Sequence, residues 1–412
     1  MTSRSRATVL RARASASAVV AEAHLARRIG RYPYFAPVGG PSAARSMIAG
    51  ELRLNFGSNN YLGLANDERV IDAAAEAAAR WGSGVTGSRL LNGNLELHEE
   101  IEEELARFYG REAALVFPTG YTANLGALAG LLQPGDRAYL DHEAHASLVD
   151  GTLLSRAKLR RFRHNSVDRF RSLVRSEDGT GCVCVIEGIY SMRGDAAPVG
   201  AFDAACADTG SFLVVDEAHA LGTMGPTGAG VAERDGVVDR VDLLTITFSK
   251  SLASCGGAVI GDREIIEFLR LTSRPFVFTA SNAPSTVAAA LCSLRLLQAE
   301  PEMVTQVQDR ASQFATKLRA HGVPVHQTDG PILTIPTGSD FSTLQAWKLA
   351  WNRDLFCNSV VSPAVEQGRG LLRLSVTRLH TDEDLDEAAV VCAAVFEMLP
   401  QPKHPDDSLE QT

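Results

Sequence analysis

Two short apolar runs in this chain end in groups that do chemistry. Val241 to Ile246, broken only by Asp242 and Thr245, leads into Thr247-Phe248-Ser249-Lys250-Ser251 and then Cys255-Gly256-Gly257. Phe212-Leu213-Val214-Val215 leads into Asp216-Glu217-Ala218-His219, followed by Gly222, Gly225, Gly228 and Gly230. Each run reads as a buried strand closed by turn residues, a pattern that delivers the next side chains to a cleft. Lysine is scarce: Lys158, Lys250, Lys317, Lys348 and Lys403 are the only ones, and arginine outnumbers them seven to one. A buried ammonium is costly unless it has a task, and forming a Schiff base is the usual task. Asp216 lies 34 residues before Lys250, also at a strand end. A carboxylate so placed suits a pyridine ring whose nitrogen must stay protonated to act as an electron sink. Together the two point to pyridoxal 5′-phosphate. The plain alternative is two unrelated surface residues that follow strands.

Further residues fit the same chemistry. Pro118-Thr119-Gly120-Tyr121-Thr122 joins an expected strand to an expected helix. Amides at a helix N-terminus, with glycine for close approach, hold a phosphate. Thr247 offers a hydroxyl to the same group. Asp141-His142-Glu143-Ala144-His145-Ala146-Ser147 has histidines three apart, whereas a zinc helix needs them four apart, so no metal is expected. His145 is either a hydrogen-bonded loop residue or a ring that stacks on the cofactor. Asp216-Glu217-Ala218-His219 also spells a nucleotide-hydrolysing Mg²⁺ box, but the chain has no Gly-Lys pair for the phosphate loop that box requires. Leu371-Leu372-Arg373-Leu374-Ser375 puts an arginine inside an apolar strand. Either it forks a substrate carboxylate or it closes an internal salt bridge.

The elements that must position these groups alternate between helix and strand. Helical spacing runs over Glu68–Trp81, Asn94–Tyr109 and Gly120–Leu132, and strands are expected near 114–117, 137–140, 182–188, 212–216 and 243–247. This predicts an α/β fold: a mostly parallel sheet with helices on both faces. Long helices from Ser285, strands near 332–336 and 371–376, and a last helix from Asp382 form a smaller C-terminal α/β lobe. The expected division is an N-terminal arm over 1–50, a large domain over 51–285, a small domain over 286–400 and a disordered tail over 401–412. Residues 1–20 carry four arginines and no acid, like a transit peptide, and are read as a frayed leader before a helix from about Ala16 to Arg28. A length of 412 residues with 45% hydrophobic content fits a two- or three-lobed enzyme. The net charge of −9 argues against nucleic acid as the main partner, and no apolar stretch reaches transmembrane length. Seven cysteines without a C-x-x-C pair read as reduced thiols in a cytoplasmic protein.

With these residues collected, the chain resembles the α-oxoamine synthases, enzymes with pyridoxal 5′-phosphate on the aspartate-aminotransferase fold (fold type I). The resemblance runs from about Gly30 to Leu399. It is carried by Asn55-Phe56-Gly57-Ser58-Asn59-Asn60-Tyr61-Leu62-Gly63-Leu64, Gly87-Ser88-Arg89-Leu90-Leu91-Asn92-Gly93, His145-Ala146-Ser147, Glu187-Gly188-Ile189-Tyr190-Ser191-Met192-Arg193-Gly194-Asp195 and the two strand-end motifs. Thr247-Phe248-Ser249-Lys250-Ser251 and Gly30-Arg31-Tyr32-Pro33-Tyr34-Phe35 are most similar to serine palmitoyltransferase-like members. The resemblance implies condensation of a small L-amino acid, serine first, with an acyl thioester on coenzyme A or a carrier protein. The products would be an α-amino ketone, CO₂ and a free thiol. Lys250 would form the Schiff base and move the Cα proton, Asp216 would pair with the pyridinium, and His219 and Ser191 would bond the phenolic oxygen. His145 would stack on the ring. Gly120, Tyr121 and Thr247 would hold the phosphate. Asn59 and Arg373 would bind the amino-acid carboxylate, with Ser88 and Arg378 also on the substrate side. It further implies a homodimer with the site at the interface, where Thr279 or Ser281 of one subunit reaches the other's phosphate. An 8-amino-7-oxononanoate synthase and, more distantly, an aminotransferase are the rival readings.

Overall fold

The computed structural model describes residues 3–176, 181–326 and 329–399, so the expected tail over 401–412 lies outside the described residues. The N-terminal leader is itself helical, as Ser3–Ser15, and a second helix spans Ala18–Arg28. Two strands follow, β1 (Arg45–Ile48) and β2 (Glu51–Asn55). The large domain holds β3 (Ala113–Phe117), β4 (Arg137–Asp141), β5 (Lys158–Phe162), β6 (Cys182–Glu187), β7 (Phe212–Asp216), β8 (Leu243–Thr247) and β9 (Gly257–Gly261). They form one sheet in the order β3-β9-β8-β7-β6-β4-β5. β4 to β8 run parallel, and β9 is antiparallel to both β3 and β8. β5 and β9 were not legible as strands. β5 reads Lys-Leu-Arg-Arg-Phe, a charged edge strand, and β9 is a short run between glycines.

Strand alternation explains why both faces of this sheet are covered. Val116, Tyr139, Cys184, Val215 and Ile246 belong to one buried cluster, together with residues of the Glu96–Phe108 and Pro284–Ala299 helices. Their neighbours Leu115, Leu140, Val185, Val214 and Val259 belong to another, under the Gly120–Leu131 and Ala146–Ser155 helices. Successive side chains point to opposite faces, so near-continuous apolar strands require helices on both.

The smaller lobe adds β10 (Ile332–Gly338), β11 (Leu355–Phe356), β12 (Asn358–Val360) and β13 (Gly370–Ser375). β13 lies between β10 and β12, and β2 pairs with β1 and β11. Leu54 and Phe56 therefore pack with Phe314, Leu333, Leu372 and Leu374 in a separate core. This corrects two expected boundaries. Strands assigned to the arm and to the start of the large domain build the small lobe. The Pro284–Ala299 helix, assigned to the small domain, buries Val287, Leu291 and Leu294 in the large-domain core. Hydrophobic contact across long sequence separations decides both cases, and local pattern cannot report it. Among the described residues no helix is long and apolar enough to cross a membrane.

Candidate active site

Parallel strands present their carboxyl ends at one edge of the sheet, and chemistry in such sheets gathers there. Here that edge carries Asp141, Glu187, Asp216 and Thr247, the last residues of β4, β6, β7 and β8. Asp216 is 4% exposed. Its Oδ2 accepts from Asn124 Nδ2 at 2.7 Å and its Oδ1 from the Ala218 amide at 2.9 Å. Asn124 also donates to Ser147 Oγ at 2.9 Å, and that hydroxyl lies 2.8 Å from His145 Nδ1. One hydrogen-bonded chain thus joins His145 to Asp216. His145 caps the Ala146–Ser155 helix, and its own amide donates to the Glu187 carboxylate at 2.5 Å. Glu187 faces Asp216 in register, and burial, then the charge of Asp216, pushes its pKa well up.

Lys250 sits half-buried just beyond β8, and its amine has no hydrogen-bond or ion-pair partner among the described residues. Burial lowers its pKa to about 8, while Asp216 and Glu187 pull the other way. An amine held so near neutrality keeps a usable fraction of the free base, the form that attacks a carbonyl. The imidazole of His219 is buried, and desolvation, then the charges of Lys250 and Arg373, hold its pKa well below the usual value.

The expected phosphate cradle lies beside it. Thr119 caps the Gly120–Leu131 helix by accepting from the Thr122 amide, so the first amides of that helix have no intrahelical partner. A Cβ on Gly120 would lie 2.7 Å from Thr247 Cβ and 2.8 Å from its hydroxyl. Glycine is what lets the Thr247 hydroxyl and the helix N-terminus share one spot. The half-exposed phenol of Tyr121 turns away to Asp150, so only its backbone amide faces this spot at the helix start.

Arg373 enters from the small lobe. Leu372 and Leu374 fill that lobe's core, so the residue between them points the other way, toward the large domain. Arg373 is 5% exposed. Its Nε donates to the Ser191 carbonyl at 2.6 Å, and Nη2 lies 3.2 Å from Asn59 Oδ1 and 3.5 Å from Tyr61 Oη. All three partners are neutral oxygens, and no carboxylate pairs with Arg373 among the described residues. The salt-bridge alternative is thereby removed. Tyr61 Oη is also 2.8 Å from His219 Nδ1, and burial raises the phenol's pKa to about 12, so it stays neutral.

The structure gathers Lys250, His145, Asp216, His219, Thr247, Gly120, Asn59 and Arg373 into one region and gives the remaining expected residues other partners. Ser191 meets Arg373 through its carbonyl. The Ser88 carbonyl accepts from Leu91 and Gly93 within its own loop. The Ser281 hydroxyl donates to the Gly93 carbonyl, and its amide to Gly87. Thr279 is half-buried nearby. Arg378 donates to the Leu62 carbonyl and reaches Gln306 at 3.5 Å. Sequence reasoning missed Asn124, Ser147, Tyr61 and Glu187 as site residues. Asn124 had a signal: it is the one amide in a helix that is apolar from there on, a polar group that burial obliges to find partners. The other three stood inside quoted motifs, with nothing to separate them from their neighbours.

The family model described as aminotransferase class I and II matches residues 53–391. A serine palmitoyltransferase of Caulobacter vibrioides is 40% identical, covering 84% of this chain and 86% of its own length. An 8-amino-7-oxononanoate synthase of Cellvibrio japonicus is 36% identical over 86% and 90%. A solved serine palmitoyltransferase of Sphingomonas wittichii superimposes with a TM-score of 0.90 at 34% identity, covering 94% of this chain and 99% of that one. A structure of SPT with pyridoxal 5′-phosphate also reaches 0.90, at 33% identity over 93% and 98%. The chain belongs to the class I and II aminotransferase family and, within it, to the α-oxoamine synthases. The residues fit the cofactor of that group. An amine with no hydrogen-bond or ion-pair partner among the described residues, a buried carboxylate locked by Asn124 and Ala218, and a glycine-opened helix N-terminus beside a hydroxyl match an aldehyde, a pyridinium and a phosphate.

Proposed function

We propose that this chain condenses a small L-amino acid, L-serine first, with an acyl thioester, releasing CO₂ and the thiol and giving an α-amino ketone. One observation carries the reading: two cations, Lys250 and Arg373, lie close enough to act on each other's charge, and neither is ion-paired among the described residues. One is free for a carbonyl and the other for a carboxylate. Pyridoxal 5′-phosphate, when bound, supplies an electron sink for the bonds at the amino acid's Cα. The Asp216 carboxylate holds the proton on the ring nitrogen, and Asn124 and the Ala218 amide fix that carboxylate's direction. His219, with Nδ1 committed to Tyr61, offers Nε2 to the phenolic oxygen. Thr247 and the amides of Gly120 and Tyr121 hold the phosphate. Arg373 orients the substrate carboxylate with Asn59, and Lys250 Nζ takes the Cα proton.

A homodimer belongs to the same reading. Ser281 ties its segment to the Gly87–Gly93 loop, and these two segments turn Leu90, Leu91 and Phe278 outward at 50%, 81% and 72% exposure. A second copy would cover this apolar surface. A cytoplasmic location fits the cysteines, none of which forms a disulfide among the described residues and four of which are buried. The test is an absorbance titration of the holoenzyme with the twenty amino acids. Each amino acid that responds is then assayed with acyl thioesters for CO₂ and thiol release. L-serine with a long-chain acyl thioester is the expected pair. L-alanine with a pimeloyl thioester would make it an 8-amino-7-oxononanoate synthase, and pyridoxamine phosphate without CO₂ an aminotransferase.

A further inference from the structure

One cluster that no step above uses lies between the turn that carries His145 and the turn that carries Ser191. Asp141, fully buried, ends β4. Its Oδ1 accepts the Glu143 amide at 2.8 Å and lies 2.9 Å from His164 Nδ1, while its Oδ2 accepts the Asn165 amide at 2.8 Å. The other ring nitrogen, His164 Nε2, is 2.8 Å from Asp195 Oδ2. Asp195 closes the second turn, because its carbonyl accepts the Tyr190 amide at 3.0 Å. Ser191, next in that turn, holds Arg373. An ionised carboxylate accepts and does not donate, so an imidazole bonded to one at each nitrogen carries both protons.

The surroundings support a fixed charge. Burial pulls the His164 pKa down, but Asp141 and Asp195 outweigh it and raise the value to about 9. The Tyr190 ring stands edge-on at 4.5 Å between centroids. Arg193 lies 3.5 Å from Glu143, a second and more exposed link between the same turns. His326 faces Arg193 and Asp195, and Asp329 accepts the Ala196 amide at 3.2 Å. We propose that His164 is a positioning residue: as an imidazolium it ties Asp141 to Asp195 and so sets His145 and the Ser191–Arg373 contact relative to each other. When it loses a proton, one of the two carboxylates loses its donor and the turns part. The consequence for amino-acid binding rests on Arg373 being the carboxylate anchor.

The test uses the holoenzyme and two variants, His164→Asn and Asp195→Asn. Nitrogen-15 NMR of wild type should show both His164 ring nitrogens protonated at neutral pH and deprotonating near pH 9. The Kd for L-serine, followed by absorbance, should weaken along the same alkaline limb. His164→Asn should raise that Kd by about tenfold or more at neutral pH, because small misplacements of binding groups are costly. Asp195→Asn should move the limb to lower pH, since one stabilising charge is gone. A neutral ring at pH 7 overturns the proposal. So does an Asp195→Asn limb that stays where the wild type's is, even if the melting temperature falls. If His164→Asn does not fold, Asp195→Asn decides alone. Wild type that gives no response to L-serine counts against the serine reading, and the NMR titration then judges the clamp by itself.

Discussion

Two buried arginines divide the molecule's charge in opposite ways. Arg89, 7% exposed, meets Glu102 with both terminal nitrogens at 2.9 and 3.1 Å. Glu102 also receives Arg270 and the Val116 amide. Arg373, 5% exposed, meets among the described residues only a carbonyl, an amide oxygen and a phenol. Both pay for leaving water, but only Arg89 is compensated inside the chain. The first arginine holds the Gly87–Gly93 loop to the Glu96–Phe108 helix. The second has only neutral oxygens around it among the described residues, which is why it is proposed to meet a substrate carboxylate. Burial alone therefore does not mark a functional arginine. What its partners are does.

The largest effect expected on this contrast comes from Lys250, the other unpaired cation. Lys250→Ala should abolish turnover, since Schiff base and Cα base are lost together. Borohydride should fix the cofactor to the wild-type peptide containing Lys250, and labelling at Lys158 or Lys317 instead would break the assignment.

Asp216→Asn should keep the cofactor bound yet slow exchange of the Cα hydrogen with deuterated solvent, by an amount on the order of 3 kcal/mol. An amide does not hold the pyridinium proton as a carboxylate does. Wild-type exchange in this variant would count against Asp216 as the pairing group.

The two arginines themselves give the sharpest test. Arg373→Ala should raise the Kd for the amino acid by about 2–4 kcal/mol and leave the melting temperature near wild type, because no orphan charge remains. Arg89→Ala should do the reverse. It takes away one of the two arginines on Glu102 and leaves Arg270 and the Val116 amide, so stability should fall by less than the roughly 3–5 kcal/mol of a fully unpaired buried charge, while the folded fraction binds amino acid normally. If both variants lose stability and neither loses affinity, the contrast is false.

The smallest effect is a pH dependence. His164 has a folded pKa raised above its unfolded value, from 6.5 to about 9. Its contribution to stability is therefore fully present below about pH 6.5 and lost as pH rises through 9. The melting temperature should fall over that window by more in wild type than in His164→Asn.

Legibility differed from one part of the chain to another for physical reasons. β7 and β8, with Asp216 and Lys250 beyond them, were readable because buried parallel strands are apolar runs and the residues that break them stand out. Gly120 and Thr247 were readable as strand-end turn residues because a β-to-α turn with glycine is a local feature, and the structure sets them side by side. β5 was hidden by its charges, and the first strands could not be assigned to the small lobe, because pairing of β2 with β11 joins residues some 300 apart in sequence. The sequence by itself determined the parallel sheet and the placement of Lys250, Asp216 and Gly120 at or just beyond strand ends. Only the tertiary structure decided that Arg373 meets no carboxylate among the described residues while Arg89 does, and that Asn124 locks Asp216. A residue's type limits what it can do, but the identity of the partner beside it is a property of the folded chain.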